Sequence, residues 1–179
     1  MTPTSTVQQS MERSWRRYFD NPTPLMKQGP TAIAVAIAAV LMWTVPGIPV
    51  TDTAVAIFGL VTIAAVTALA AVLSVRGVYE GWIVMLIPMI DIVALGAIRT
   101  GTGGPASLFS SFVLLPVVWI AAAPGRRQVL IVGVLSSIAL VMPNLIDPPE
   151  APADWLRGVI GPLVFATVGA IVNAVSYTH

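Results

Sequence analysis

Six stretches of nearly unbroken apolar residues divide the chain, over 28–45, 53–75, 81–98, 107–123, 128–146 and 155–175. Each approaches or exceeds the roughly 20 residues that a helix needs to cross a hydrocarbon layer. The breaks between them are rich in glycine and proline: Pro46-Gly47-Ile48-Pro49, Arg76-Gly77, Thr100-Gly101-Thr102-Gly103-Gly104-Pro105, Pro124-Gly125-Arg126-Arg127 and the proline-rich 147–154. Such residues end helices and turn the chain. The pattern predicts an all-α polytopic membrane bundle of six transmembrane helices joined by short loops. Pro116 falls in the middle of the fourth stretch. A kink is expected there and no break, because neighbouring helices can re-satisfy the carbonyl that a proline frees.

Ahead of the first stretch, Met11, Trp15, Tyr18 and Phe19 recur at helical spacing, with Arg13, Arg16 and Arg17 off that stripe, before Asp20-Asn21-Pro22. This predicts a short N-terminal interfacial helix, its aromatics at headgroup depth and its arginines near anionic lipid phosphates. The plainer reading is a solvated tail. The expected division is a cytoplasmic segment over 1–29 and one transmembrane domain over 30–179. Residues 1–29 lack the basic stub and short apolar core of a cleavable signal, so the first span is expected to direct its own insertion.

Composition narrows the function. Charged residues make up 9% of the chain, against roughly 25% in an average soluble domain, too few to coat a soluble globule. A net charge of +1 gives nucleic acid no electrostatic footing. There is no cysteine, and the sole histidine is His179. Disulfides, thiolate metal sites and bis-histidine haem are thereby excluded, and no metal site or resident cofactor is evident. No nucleophile and base stand at a plausible spacing, so no catalytic residues and no enzyme are expected within these 179 residues. Asp52, Asp147, Glu150 and Asp154 read as a solvated acidic rim.

The few charges orient the chain. Alternate loops sort them into Arg13, Arg16, Arg17, Lys27, Arg76, Arg126 and Arg127 on one side and only Arg99 and Arg157 on the other, with the four acids just named. Basic residues favour the cytoplasm, so both termini are expected there, in the cell (inner) membrane. Six spans keep this arrangement consistent; five would put the C-terminus outside.

Asp91 lies near the centre of the third span, where an ionised carboxylate costs about 2.5–3.5 kcal/mol on insertion scales. Arg99 is its obvious partner by charge. Eight residues along a helix make about 12 Å of rise and roughly 80° of rotation, which argues against direct pairing. Asp91 is therefore either a proton-sensitive or ligand-gated switch, or a neutral group hydrogen-bonded to a serine or threonine of a neighbouring span. The stretch 99–109 is the most distinctive in the chain. Its glycines would let backbone approach a ligand, or would simply form a tight turn. It lacks the spacing of a phosphate-binding loop.

Gly103-Gly104-Pro105-Ala106-Ser107-Leu108-Phe109 resembles the GGxxNPF heptapeptide in the outer loop between spans three and four of the RegB/PrrB redox-sensing histidine kinases. Gly103, Gly104 and Phe109 fit the motif, whereas Ser107 stands for its asparagine and Leu108 for its proline. A looser likeness runs from Asp91-Ile92-Val93 through Arg99 to Leu114-Leu115-Pro116-Val117-Val118-Trp119, similar to multispan input modules ahead of histidine kinases and diguanylate cyclases. The resemblance covers about a quarter of the chain. It implies a six-span sensory input domain of a bacterial two-component or cyclic-dinucleotide signalling protein, relaying through its sixth helix to an output domain. A lipophilic small molecule such as a quinone as ligand, and a homodimer formed through the output domain, are implied with it. Asp91, Arg99, Gly103, Gly104, Ser107 and Phe109 are then the ligand-binding or switch candidates.

The ending over 173–179 lacks a basic tail and reads as truncation ahead of such a domain. His179 lacks the surroundings of a phosphoacceptor. The competing reading is a small six-span transport component. The substrate-binding subunits of energy-coupling-factor vitamin transporters have a similar length and an alanine-rich first helix, resembling Ala32 and Ala36 here. Against it, the loop over 46–52 is short for a lid. A structural or assembly subunit is the third reading. Small pairs four apart, Ala32 and Ala36, Ala64 and Ala68, Ala166 and Ala170, are expected to pack helices within the bundle or to form a dimer face. Trp43, Trp82, Trp119 and Trp155 are expected to anchor span ends at the interfaces.

Overall fold

The computed structural model describes residues 22–123, 125–146, 148 and 151–176. The expected interfacial helix, Asp147, Glu150 and His179 lie outside the described residues. Helices make up the fold: α1 (Pro24–Thr44), α2 (Thr53–Val75), α3 (Trp82–Gly101), α4 (Leu114–Ala122), α5 (Arg127–Ile146) and α6 (Pro152–Ser176). Two 3-10 segments, Gly104–Ala106 and Leu108–Val113, connect α3 to α4. By length and composition, α1, α2, α3, α5 and α6 can each cross a membrane, and Leu108–Ala122 is a shorter apolar helix. The chain is an all-α protein of the multi-pass membrane kind.

Local chemistry sets the helix ends. α1 begins four residues ahead of its apolar run because Thr23 caps it, its side chain accepting from Met26 N at 3.3 Å, with Pro24 in the first turn where no N–H is needed. Asp52 caps α2 in the same way through Val55 N at 3.0 Å. The fourth apolar stretch departs from the expected kinked α-helix. After Ser107, six residues, Leu108–Val113, wind as a 3-10 helix, and the α-helix starts two residues before Pro116. That boundary puts the proline in the first turn of α4, where its missing N–H leaves no carbonyl unpaired.

α3 is the hub. Over its apolar window 56% of residues are buried, against 28–29% for the other four long helices. Val84, Ile87, Asp91, Leu95 and Ile98 follow one another at three- and four-residue spacing and are all buried. Around it, Val35, Met42, Ile63, Val113, Val117, Ile120, Val132 and Leu140 complete the main core. Outward, Ile33, Val40, Phe58, Val61, Leu130, Leu163 and Ile171 are more than half exposed, an apolar exterior suited to lipid.

Close approach between helices comes from glycines that the alanine pairs did not foretell. Ala64 and Ala68 lie exposed. Instead, a Cβ on Gly59 would stand 2.6 Å from the Ala94 carbonyl oxygen, and one on Gly96 2.9 Å from that of Ala139, so α2 and α5 both press directly on α3. Trp82 is exposed at the start of α3, and Trp43 near the end of α1, as interfacial anchors would be. Trp119 differs, packing against the cluster of Val66, Ala70, Leu73, Val84 and Ile87.

Candidate functional site

Register along α3 dictates that Asp91 faces inward, since it shares the stripe of Ile87 and Leu95. It is wholly buried. Nine residues separate it from the start of α3 and ten from the end, placing it close to midway along about 30 Å of helix. Its Oδ1 accepts a hydrogen bond from Gln28 Nε2 of α1 at 3.1 Å. The same Nε2 lies 3.4 Å from Thr67 Oγ1 of α2, whose hydroxyl donates to Ile63 O at 2.8 Å. Three helices thus meet at one carboxyl group. Asp91 Oδ2 and Gln28 Oε1, both acceptors and both buried, have no hydrogen-bond donor among the described residues.

Arg99 does not pair with Asp91. Two turns further along α3 it turns to α5, where Nη1 donates to Leu140 O at 3.3 Å, and the residue is 2% exposed. The tight crossing of Gly96 over Ala139 explains the contact, because it brings the two backbones together one turn before the guanidinium. The ion pair found among the described residues is elsewhere, Arg157 to Asp154 at 2.9 Å within the first turns of α6. It is exposed and adds little to stability.

The glycine stretch folds as a turn whose backbone is spoken for. Gly103 and Gly104 both take positive φ, 98° and 57°, which side chains disfavour. Gly101 serves a different end: a Cβ there would stand 2.6 Å from Ala56 N and from Asp52 O, so only glycine lets α3 end against the start of α2. Thr51 N and Asp52 N donate to Gly101 O at 2.9 and 3.1 Å, and Gly103 N donates to Thr51 Oγ1 at 3.3 Å. Ala106 N and Ser107 N close onto Gly103 O and Gly104 O, each at 3.1 Å.

Ser107 organises the exit from this turn. Its Oγ lies 2.7 Å from Thr102 Oγ1 and accepts from Phe109 N at 3.2 Å, capping the 3-10 helix. Phe109 is buried in the main core, its ring 5.7 Å from that of Phe112. Ser107, Phe109, Thr102 and Gly103 are therefore one assembly at the end of α3. Arg99 joins it through Thr102, whose N–H and hydroxyl both bond to Arg99 O. Asp91 stands apart, two turns deeper.

Several polar residues of consequence lie outside the expected set. Gln28 and Thr67 complete the Asp91 cluster. Asn144 is 3% exposed, and its Nδ2 has no acceptor among the described residues. Asn173 of α6 donates through Nδ2 to Ala121 O at 2.9 Å, Ala123 O at 3.1 Å and Gly125 O at 3.4 Å, closing the C-terminal end of α4. The signal was present: amide side chains inside apolar spans are as conspicuous as Asp91, and they seek partners across helices. Two depressions of about 570 and 860 Å³ run along α5 and α6 from Arg126, the larger past Gly133, Ser137 and Pro162. In comparisons with family models, curated proteins and solved structures, none matches this chain.

Proposed function

We propose that this chain is the transmembrane sensory input domain of a bacterial signal-transduction protein, of the kind that precedes a histidine kinase or diguanylate cyclase. In this reading six crossings leave both termini in the cytoplasm. The 3-10 segment supports the sixth crossing: six residues at about 2.0 Å and nine at 1.5 Å carry Leu108–Ala122 through about 25 Å, most of a hydrocarbon layer. Arg76, Arg126 and Arg127 fall at the end shared by the start of α1 and the end of α6, which supports a cytoplasmic assignment for that end.

The observation that carries the proposal is the buried carboxyl at the middle of the most buried helix, tied by one amide to two other helices. A proton or a ligand donor reaching Asp91 Oδ2 and Gln28 Oε1 changes the bonding of α1, α2 and α3 together. Coupling of that kind suits a switch that biases two arrangements of a bundle. The signal leaves through α6, and its ligand is a lipophilic or outer-face molecule.

Because the chain has no cysteine, introduced pairs can be labelled cleanly. Spin labels at Val75→Cys and Ser176→Cys, in the full chain in nanodiscs, report the separation of α2 and α6 at one end of the bundle. The expected result is a distance distribution that shifts between pH 5 and pH 8 and no longer shifts in Asp91→Asn. Identical distributions at every pH, in both the parent and Asp91→Asn, would sink the switch.

A further inference from the structure

At the end of the bundle where α3 finishes, two donor-bearing side chains, Arg99 and Asn144, are buried. Arg99 carries five N–H donors. Its side chain's hydrogen bond among the described residues goes to the neutral Leu140 carbonyl at 3.3 Å. One turn further along α5, Asn144 is 3% exposed, and its Nδ2 has no acceptor among the described residues. Gly158 of α6 ties the two together. A Cβ there would collide with the Asn144 amide nitrogen while standing 3.7 Å from Leu140 O. The acceptor of Arg99, the Asn144 amide and the backbone of α6 therefore border one spot.

The described acids lie elsewhere: Asp91 accepts from Gln28 two turns deeper, and Glu80 is exposed ahead of the start of α3, the far end of that helix from Arg99. Asp52 caps α2 through Val55 N, and Asp154 holds Arg157. A buried guanidinium whose acceptor, Leu140 O, borders the same spot as an unpartnered amide N–H₂ calls for a negatively charged group with at least two acceptor atoms, one for each donor. We propose that Arg99 and Asn144 form a binding site for an oxyanion, the carboxylate of a small molecule or the phosphate of a lipid headgroup. This deepens the sensory reading by naming the chemistry of its outer-face ligand. Binding is measured apart from signalling, so a failure here leaves the Asp91 distance measurement standing, and the reverse.

The test uses the full chain in dodecyl maltoside, whose headgroup carries no charge, with unfolding followed by tryptophan fluorescence. Sodium acetate or sodium phosphate replaces sodium chloride at constant ionic strength, and phosphatidylglycerol is added in a separate series. The expected result is a saturable rise in Tm of about 3–6 °C at ten times the Kd. Arg99→Gln should lose that response. Asn144→Asp, which supplies a carboxylate from within, should melt higher than the parent in chloride and respond no further. A response to phosphatidylglycerol alone assigns the oxyanion to a lipid headgroup, and a response to acetate assigns it to a soluble carboxylate. The proposal fails if none of the three probes exceeds chloride, or if the rise persists in Arg99→Gln. It also fails if a variant carrying Asp147→Asn and Glu150→Gln gains an acetate response that the parent lacks, since the chain's own acid would then fill the site.

Discussion

Gly59 is a point where α2 presses directly on α3, and adding a single methyl group there should be felt across the bundle. A Cβ at this position would lie 2.6 Å from Ala94 O and 3.0 Å from Ile98 N, both backbone atoms that no rotamer change can move. Restoring ordinary contact requires the helices to part by about 0.8 Å, and a gap of that order forfeits a quarter to a half of each dispersion contact it opens. The buried faces that would be pulled apart include Ala56, Ile63, Val66 and Ala70 on α2 and Ile87, Ala94 and Ile98 on α3. Overpacking of this kind costs about 1–3 kcal/mol, and the better helix propensity of alanine offsets at most about 1 kcal/mol. Gly59→Ala should therefore destabilise by about 1–2 kcal/mol. Gly133→Ala is the control, because its new Cβ would meet only Ala166 Cβ at 3.9 Å. It should be neutral or up to about 1 kcal/mol more stable. Reversible unfolding in mixed micelles, followed by tryptophan fluorescence, compares the two. A Gly59→Ala protein at least as stable as Gly133→Ala would refute the reasoning.

Asn173→Ala should cost about 1–3 kcal/mol in the same unfolding assay, because three carbonyl groups at the end of α4 lose their shared donor; an unchanged midpoint would show that Asn173 is not the clasp between α4 and α6. Ser107→Ala removes the cap on Phe109 N and the bond to Thr102. It should cost about 0.5–2 kcal/mol and speed hydrogen exchange at the Phe109 amide, and unaltered exchange there would count against the cap.

Much of the architecture was legible before any coordinates. All six apolar stretches correspond to helical segments, and α2 runs over the very residues its hydropathy marked. Where the ends moved, polar residues had hidden helix: Lys27 belongs to α1, and Arg99 and Thr100 to α3. The fourth stretch was harder to read because hydropathy cannot tell a 3-10 turn from an α turn. Its winding follows from where Pro116 can sit without leaving a carbonyl unpaired. Among the candidate residues, Asp91 was conspicuous by its charge, and its isolation from Arg99 follows from helix geometry alone. The roles of Gly103 and Gly104 became clear only from their backbone angles, and that of Gly101 from the atoms that crowd it.

The sequence by itself determined what each segment is: an apolar helix, a turn, a charged edge, a carboxyl at mid-span. These properties are local, fixed by side-chain transfer energies and by the 3.6-residue period. Only the tertiary structure decided which segments meet. Gln28 reaches Asp91 across 63 residues of chain, Arg99 reaches Leu140 across 41, and Asn173 reaches Ala121 across 52. In an apolar solvent the hydrophobic effect does not choose between helix faces, because lipid satisfies a leucine as well as a neighbouring helix does. The choice falls to close backbone contact at Gly59, Gly96 and Gly101 and to a few polar groups seeking partners, and neither is written in the hydropathy of any one segment.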